Sequence, residues 1–371
     1  MKKILIVADT YFPKIDGIMR TLREVVPRIA QDFEITLLVP DWGISWDYNE
    51  IKIKTSRIIR LSGYASMSFS WSNIQNIREA VRNTDIVFIQ GPALMSLLAI
   101  YFGRRYNKTV VYYIHLIMWE LYEKNIPRWL GWFTIPILKK LTVAWYNACD
   151  VLVVPYRNLI MEMTKSGIRT KKEVARLGVD TLAFYPAADK DEAKRRLGID
   201  PSYRVVGYIG RISKEKNVGV LLEAVKNVQE NEKILLLVVG SGTKSEMKKF
   251  RNAKNTMLPG FIEDVTPYYQ AMDIFVMPSL TETTSLATLE AMACGIPVIT
   301  TKVGFLKEYV MKNFNGLLFP KGNVLTLTIQ LRKLLRRKKM RRRMGKNARE
   351  VALGFSWDKT AARMREILRK Y

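Results

Sequence analysis

The sequence predicts an α/β protein built from two doubly wound parallel sheets in series. Short, almost continuous apolar runs alternate with longer helix-forming stretches in both halves, as is typical of buried parallel strands covered by helices. A stretch rich in glycine, proline and charged residues separates the two halves. At 371 residues, the chain is long enough for two domains, each with its own core.

The first half alternates predicted strands with predicted helices. The strands are expected at residues 4–9, 35–39, 58–61, 86–90, 110–115 and 151–155, and the helices at residues 20–30, 74–82, 93–105 and 137–147. This alternation predicts crossover connections and therefore a parallel sheet.

The second half repeats the pattern. Strands are expected at residues 205–210, 234–240, 274–278 and 298–301, and helices at residues 218–230, 243–252, 265–272 and 285–294. A linker at residues 178–186 divides the chain into a first domain at 1–184 and a second at 185–355.

The net charge of +26 indicates an anionic partner, which is a nucleic acid, an anionic membrane or a phosphorylated substrate. The alternative is a solubilising surface, but this would not need so large an excess of one sign.

The apolar run after Met1 is too short for a signal peptide, and no uninterrupted run reaches membrane-spanning length. We therefore expect a cytoplasmic or peripheral protein. A single histidine and two cysteines exclude a histidine-based metal cluster and give no disulfide framework.

Residues 278–299, PSLTETTSLATLEAMACGIPVI, predict a strand end, a polar loop, a helix and a second strand. The hydroxyls at 283–285 are suited to cap the helix, so that the amides of Leu286 and Ala287 lie free in its first turn. Free amides at the positive end of a helix suit a phosphate.

Two carboxylates bracket this helix, with Glu282 in the loop before it and Glu290 two turns into it. Spacing alone favours Glu282 as a complement to the helix dipole and Glu290 as a solvated surface charge. The apolar neighbours of Glu290, which include Ala291 and Met292, leave a buried partner open.

This pair, with seven residues between its members and AMACGIPVI after it, resembles the signature of family 4 retaining glycosyltransferases. The resemblance implies the GT-B fold, in which two Rossmann-like domains face each other across a cleft. It also implies that a final helix, at about residues 356–371, crosses back to join the first domain. In such enzymes the residue matching Glu282 faces the donor sugar, and the residue matching Glu290 holds the nucleotide ribose.

The loop between the two carboxylates departs from the family pattern. Relatives usually have Gly-Phe-Gly where this chain has Thr283, Thr284 and Ser285. The resemblance still implies phosphate contacts through the amides of Ser285, Leu286 and Ala287.

Residues 210–217, GRISKEKN, follow a predicted strand. Spacing alone favours a solvated basic loop. The segment resembles the diphosphate-binding segment of the family, which implies that Arg211 and Lys216 hold the phosphates and favour departure of the nucleoside diphosphate.

Two positions in the first half are further candidates. Gly17 stands at a helix start where a backbone can approach a phosphate; relatives have two glycines there, and Asp16 replaces the first. His115 ends a predicted strand, where a lone histidine is most often structural. The resemblance gives His115 a positioning contact with the transferred sugar, without a role as general base.

Residues 258–264, LPGFIED, resemble the edge that binds the nucleotide base, through the backbone of Phe261 and Ile262. The implied donor is a UDP-, GDP- or ADP-sugar, and no further cofactor is expected. The implied mechanism requires no metal, and the one Asp-x-Asp, at residues 189–191, lies in a lysine-rich helix start.

Three segments are candidates for the acceptor side and the surface. Residues 119–147 combine aromatic residues with lysine and arginine, as interfacial membrane segments do, although a place in the core is an equal alternative. Residues 64–71 are small, polar and aromatic. The helical run at 331–344 is basic enough to bind anionic lipid. The set named for 119–147 comprises Trp119, Tyr122, Lys124, Arg128, Trp129, Trp132, Phe133, Lys139, Lys140, Trp145 and Tyr146.

Together these observations predict a retaining glycosyltransferase that moves a hexose from a nucleotide sugar to a membrane lipid or lipid-linked glycan at the cytoplasmic face. One alternative is transfer to a soluble sugar or sugar phosphate. The other is a basic nucleic-acid-binding protein without catalysis, although no nucleic-acid signature is present.

Overall fold

The computed structural model describes residues 1–13, 16–61, 64–230 and 232–371. It divides into two compact units, Met1–Leu177 with Trp357–Tyr371, and Gly178–Ser356. Each unit contains its own parallel sheet, so the predicted α/β fold with two doubly wound sheets is confirmed.

The strands of the first unit are β1 (Lys2–Val7), β2 (Phe33–Pro40), β3 (Asn49–Ile53), β4 (Thr55–Leu61), β5 (Tyr64–Met67), β6 (Ile86–Ile89), β7 (Thr109–Tyr113), β8 (Val151–Val154) and β9 (Lys171–Val174). All except β4 and β5 form one parallel sheet in the order β3-β2-β1-β6-β7-β8-β9. The chain adds strands on one side of β1 and then continues on the other with β6, so the switch point lies between β1 and β6. Ligands of such sheets bind at the carboxyl ends of the strands at this point.

Helices of the first unit are α1 (Gly17–Ile29), α2 (Trp71–Arg82), α3 (Leu94–Arg105), α4 (Met118–Asn125), α5 (Arg128–Asn147) and α6 (Arg157–Lys165). The last helix of the chain also packs in this unit, against α1, and its Trp357 and Ile367 are buried. Arg28 Nε on α1 donates to Asp358 Oδ1 at 2.8 Å.

The second unit contains β10 (Arg204–Ile209), β11 (Ile234–Val239), β12 (Thr256–Gly260), β13 (Ile274–Met277), β14 (Val298–Thr301) and β15 (Gly316–Phe319). Its helices are α7 (Lys190–Arg196), α8 (Val218–Gln229), α9 (Lys244–Lys248), α10 (Thr266–Ala271), α11 (Leu286–Ala293), α12 (Leu306–Tyr309), α13 (Val324–Arg336) and α14 (Lys338–Leu353); α15 (Trp357–Lys370) is the last helix, described above. The parallel order β12-β11-β10-β13-β14-β15 places the switch point between β10 and β13.

Several predicted elements need correction. The strand predicted at 58–61 lies outside the main sheet, because β4 pairs with β5 in a separate antiparallel sheet. The helix predicted from residue 137 begins at Arg128, since α5 contains Pro136 on an exposed face rather than starting after it. The basic run at 331–344 is two helices, α13 and α14, that meet at Arg337.

Part of that basic run is also internal. Arg341 is 6% exposed, and its Nη1 donates to the carbonyls of Leu334 and Leu335 at 2.7 and 2.9 Å. These contacts satisfy the last turn of α13. The run therefore presents fewer basic side chains to a surface than its sequence suggests.

Candidate active site

Two loops meet at the switch point of the second sheet. One follows β10 and the other follows β13. Lys216 Nζ of the first loop lies 2.7 Å from Glu282 Oε1 of the second, and the amide of Leu280 donates to the carbonyl of Glu215 at 2.8 Å. The two loops are thus joined by an ion pair and a backbone hydrogen bond at the place where parallel sheets bind ligands.

Glu282 is held at its carboxylate and at its backbone by two further contacts. Ser279 Oγ donates to Oε1 at 2.9 Å. A Cβ on Gly304, whose φ is +48°, would lie 1.6 Å from the carbonyl oxygen of Glu282. Only glycine fits this contact, so the loop after β14 fixes the backbone that carries Glu282.

The loop after β10 is supported by the loop after β11. A Cβ on Gly240 would lie 2.0 Å from the carbonyl oxygen of Gly210, and one on Gly242 would lie 1.9 Å from that of Ile212. The amide of Ile212 donates to the carbonyl of Ser241 at 2.8 Å. These glycines allow the two backbones to touch beside the loop that carries Lys216.

Arg211 shares the loop of Lys216 but has a different partner. Its guanidinium pairs with Glu215, and its side chain is 58% exposed. The hydroxyl of Tyr208 donates to the carbonyl of Arg211 at 2.8 Å and holds the start of the loop. Arg211 is therefore a solvent-accessible cation at the carboxyl end of β10.

The first turn of α11 differs from the prediction in one respect. No side chain caps it, because Ser285 Oγ lies 2.8 Å from Thr288 Oγ1, and Thr284 Oγ1 is buried with no partner among the described residues. Within the same described ranges, the amides of Leu286 and Ala287 donate to no acceptor, as expected. Ser285 itself has φ 60° and ψ 73°, a left-handed conformation that glycine adopts without strain.

Glu290 is buried, so its interpretation as a solvated surface charge is wrong. It is 4% exposed, and its Oε2 lies 2.9 Å from the hydroxyl of Tyr269, which is fully buried. That hydroxyl also lies 3.0 Å from the carbonyl of Ala287. Tyr269 thus links Glu290 to the first turn of α11, a contact that sequence reasoning missed.

Phe261 and Ile262 follow β12 at the same edge of the sheet. The carbonyl of Gly260 accepts from the amide of Gly240 at 2.7 Å, and Phe261 is 61% exposed.

Asp189, the first aspartate of the Asp-x-Asp pattern, caps α7 by accepting from the amide of Asp191 at 2.8 Å. Among the residues that the structure describes, no three His, Cys, Asp or Glu side chains are grouped as metal ligands.

Gly17 begins α1 at the carboxyl end of β1. Asp16 Oδ1 accepts from the amides of Ile18 and Met19, at 3.0 Å each, so a carboxylate of the chain itself caps this helix. Those two amides are occupied, and a phosphate contact at Gly17 remains a prediction about its own backbone. Lys14 and Ile15, which precede this helix in the sequence, lie outside the described residues.

His115 follows β7. Its Nε2 lies 2.8 Å from Gln90 Oε1, and its ring centroid is 4.5 Å from that of Tyr113. Desolvation by the surrounding protein lowers the pKa of the imidazole from 6.5 to about 3, so His115 is neutral at pH 7.

Asp9, at the carboxyl end of β1, is a buried acid that sequence reasoning missed. Its Oδ2 accepts from the amide of Ala93 at 2.7 Å and from Ser96 Oγ at 2.6 Å, while its Oδ1 has no partner in the described part of the chain. Burial raises the pKa of this carboxyl to about 6. The only signal in the sequence is an aspartate after an apolar strand.

The aromatic segment at 119–147 divides into an exposed and an internal part. Trp129 and Trp132 are 75% and 79% exposed, and Phe133 on the same helix is 46% exposed. Tyr146 is buried, and the hydroxyl of Tyr122 lies 3.1 Å from Thr142 Oγ1. The side chains of Lys124 and Arg128 lie outside the described set.

None of the helices in the described ranges combines the length and hydropathy that crossing a bilayer requires.

Comparison with protein families gives two matches that follow each other along the chain. The family described as "Glycosyltransferase Family 4" matches residues 15–182, and "Glycosyl transferases group 1" matches residues 189–351. The first match covers β2 to β9, and the second covers β10 to β15.

Curated relatives are glycosyltransferases with different acceptors. The sulfoquinovosyl transferase SQD2 of Arabidopsis thaliana is 24% identical over 96% of this chain and 69% of its own. The alpha-monoglucosyldiacylglycerol synthase of Streptococcus pneumoniae is 24% identical over 85% and 75%. A D-inositol 3-phosphate glycosyltransferase of Corynebacterium urealyticum is 30% identical over 59% and 56%.

Solved structures share the fold over the whole chain. Sucrose-phosphate synthase from Thermosynechococcus elongatus superimposes with a TM-score of 0.82 at 19% identity, covering 100% of this chain and 99% of the other. The Anabaena protein HepE, solved in complex with UDP and glucose, gives 0.82 at 17% identity and covers 100% of both chains. With two Rossmann-like units and two family matches in sequence order, the chain belongs to glycosyltransferase family 4 and has the GT-B fold.

Proposed function

We propose that this glycosyltransferase moves a hexose, with retention of configuration, from a nucleoside diphosphate sugar to a hydroxyl of a membrane lipid or lipid-linked glycan. The observation that carries the proposal is the Lys216–Glu282 pair at the switch point of the second sheet, beside the first turn of α11.

The donor assignment rests on charge and hydrogen-bonding capacity at that edge. Lys216 and Arg211 supply two cations, and the amides of Leu286 and Ala287 supply donors at the positive end of a helix. At about 4 Å and an effective dielectric near 20, each cation attracts a phosphate charge by roughly 4 kcal/mol before desolvation. HepE, with the same fold, binds UDP and glucose, which supports a nucleotide sugar as the donor here.

In the proposed mechanism, each group has one task. Lys216 bridges the Glu282 carboxylate and the departing diphosphate, so that sugar and leaving group are positioned by one ion pair. Glu282 accepts hydrogen bonds from the sugar hydroxyls, and Glu290, oriented by Tyr269, accepts those of the ribose. The acceptor hydroxyl attacks the anomeric carbon from the side that the diphosphate leaves, and a phosphate oxygen takes its proton. No step requires a metal.

The acceptor assignment rests on the exposed face of α5. Trp129, Trp132, Phe133, Ile137 and Leu141 recur at helical spacing and are each at least 45% exposed. Large exposed aromatic and aliphatic side chains on a chain of net charge +26 suit an anionic bilayer interface. The relative named alpha-monoglucosyldiacylglycerol synthase supports a lipid acceptor, whereas the D-inositol 3-phosphate relative keeps a soluble acceptor as the second candidate.

Product partitioning tests the proposal directly. Radiolabelled UDP-, GDP- and ADP-sugars are incubated with the protein and total lipid extract, and separately with soluble sugars and sugar phosphates. We expect label from one donor to move into the organic phase. Label that appears only in a soluble product would replace the lipid acceptor with the second candidate, and no transfer from any donor would overturn the proposed function.

Replacing Trp129 and Trp132 by serine should reduce flotation with anionic vesicles at least about fivefold, because two exposed aromatic anchors are lost. The matched control is Tyr101→Ser, which removes an aromatic side chain that is 62% exposed on α3. Flotation that is equal in both variants would contradict the membrane role of α5. A salt-dependent shift of nucleic acid without vesicle binding would instead favour the nucleic-acid alternative.

A further inference from the structure

Gln90 lies within hydrogen-bonding distance of His115, which is the only histidine of the chain. It follows β6, is 1% exposed, and its amide donates to the carbonyl of Val7 on the neighbouring β1 at 2.8 Å. Its side-chain oxygen lies 2.8 Å from His115 Nε2. Both residues therefore stand at the carboxyl edge of the first sheet, on adjacent strands β6 and β7.

The backbone beside Gln90 is clamped on two sides. The hydroxyl of Tyr112 donates to the carbonyl of Gly91 at 2.8 Å, and a Cβ on Gly91 would lie 2.5 Å from Asp9 Oδ2. A buried side chain on a fixed backbone has little freedom to release its partner. The side-chain carboxamide of Gln90 is thus held rigidly in place against the imidazole.

This contact assigns the protons of the ring. A neutral imidazole has one N–H and one lone pair, and the hydrogen bond at one nitrogen decides which is which. The Gln90 carboxamide is oriented with its oxygen toward Nε2. Because an amide oxygen can only accept, this orientation places the proton on Nε2 and leaves the lone pair on Nδ1. Nδ1 has no hydrogen-bond partner among the described residues, and His115 as a residue is neither fully buried nor fully exposed.

We propose that Gln90 is a positioning residue that holds His115 as its Nε2–H tautomer, so that Nδ1 accepts a hydrogen bond from a sugar hydroxyl of the substrate. This inference rests on the proposed function for its substrate. It adds a residue that sets the direction of this hydrogen bond, because a ring with the proton on Nδ1 would donate to the same hydroxyl instead of accepting from it.

The ionisable groups near this contact are compatible with a neutral ring. Tyr113 covers the ring of His115, and burial raises the pKa of its phenol. Asp9 is directed to the start of α3 through Ala93 and Ser96. Among the residues that the structure describes, no cation pairs with His115.

The test uses the full-length protein with ¹⁵N-labelled histidine, which gives one imidazole and therefore one set of ring signals. Long-range ¹H–¹⁵N spectra should show a protonated Nε2 and an unprotonated Nδ1, unchanged from pH 8 to pH 5. Gln90→Glu places a carboxylate against Nε2–H and should bring the ring titration into the pH 5–8 range. Gln90→Met removes the acceptor and should give a mixture of tautomers.

The kinetic readout separates positioning from folding. Gln90→Met should lower kcat/KM for transfer roughly tenfold, while the affinity for the free nucleoside diphosphate and the midpoint of thermal unfolding stay near those of the unchanged protein. A wild-type ring that is protonated on Nδ1 at pH 8 would overturn the inference without any variant. So would a Gln90→Met protein with an unchanged tautomer and unchanged kcat/KM. Failure of every donor to give transfer would overturn the proposed function instead, since the spectra do not depend on turnover.

Discussion

Two lysine–carboxylate pairs in the second unit have nearly the same length and very different surroundings. Lys194 Nζ lies 2.8 Å from Asp273 Oδ2, with side chains 0% and 6% exposed, and Lys216 Nζ lies 2.7 Å from Glu282 Oε1, with side chains 20% and 8% exposed. The first pair stands at the amino ends of β10 and β13, and the second at their carboxyl ends.

The two pairs differ most in what else satisfies them. Lys194 also donates to the carbonyl of Tyr203 at 2.9 Å, and Asp273 Oδ2 also accepts from the amide of Val205 at 3.0 Å. This pair is enclosed by its own chain and connects the starts of the two central strands. The Lys216 side chain is instead partly open to solvent, so its ammonium can contact a ligand in addition to Glu282. The comparison indicates that one ion pair maintains the fold and the other maintains the site.

Breaking the enclosed pair should have the largest effect on stability. Lys194→Met leaves the Asp273 carboxylate buried with Arg341 Nε, 3.9 Å away, as its remaining recorded ion-pair partner, so the free energy of unfolding should fall by about 3 to 5 kcal/mol. Denaturant titration, followed at the unfolding transition of the second unit, measures this change in the free energy of unfolding. The folded fraction should bind nucleoside diphosphate as tightly as the unchanged protein. A loss below about 1 kcal/mol would mean that the two pairs are not distinguished by burial.

Removing the carboxylate of the Lys216–Glu282 pair should lower activity and leave stability nearly unchanged. Glu282→Ala removes charge-assisted hydrogen bonds of roughly 1.5 to 3 kcal/mol, which corresponds to at least about tenfold in turnover, while the fold stays intact. Initial rates with the donor identified by the labelling panel provide the measurement.

The matched control for Glu282 is Glu246→Ala. Glu246 is 6% exposed at its side chain and pairs with Lys249 at 2.7 Å, a similar geometry away from the switch point. Its turnover should not change. An equal loss in both variants would show that removal of a buried carboxylate, and not the position of Glu282, causes the effect.

The backbone conformation of the loop that carries Glu282 can be tested by substitutions at Ser285. Ser285 adopts a left-handed conformation, which is most costly for a β-branched side chain. Ser285→Val should lower the free energy of unfolding by about 1 to 2 kcal/mol more than Ser285→Gly does. Thermal and denaturant unfolding of the two variants check this difference, and the reverse order would contradict the assigned conformation.

The sheets and most helices follow from the sequence because buried strands need continuous apolar runs and helices need their own periodicity. β3 and β9 were not predicted because NEIKI and KKEV contain charged residues in place of a continuous apolar run, and β5 and β15 were not predicted either. The helix α5 begins before its predicted start because an exposed face tolerates Pro136. Residues of the site come from loops whose positions near strand ends are visible in the sequence. The roles assigned to these residues came from the resemblance to the family.

Contacts inside the site were not predictable from either source. The direct pairing of Lys216 with Glu282 joins positions 66 residues apart, and it depends on strand order, which local patterns do not encode. Gly304 is needed only because the backbone of Glu282 passes beside it. By contrast, Ser285 carried a usable signal, since a family that prefers glycine at a position indicates a left-handed backbone there.

The most direct test of the functional pair is the affinity of Lys216→Met for UDP, GDP and ADP, measured by calorimetry beside the unchanged protein and Lys249→Met. If Lys216 holds the diphosphate, the nucleotide that binds the unchanged protein best should bind Lys216→Met at least about tenfold more weakly, and Lys249→Met should bind it normally. Equal affinity in all three proteins would contradict the account, because the ion pair at the switch point would then be a structural contact like that of Lys194.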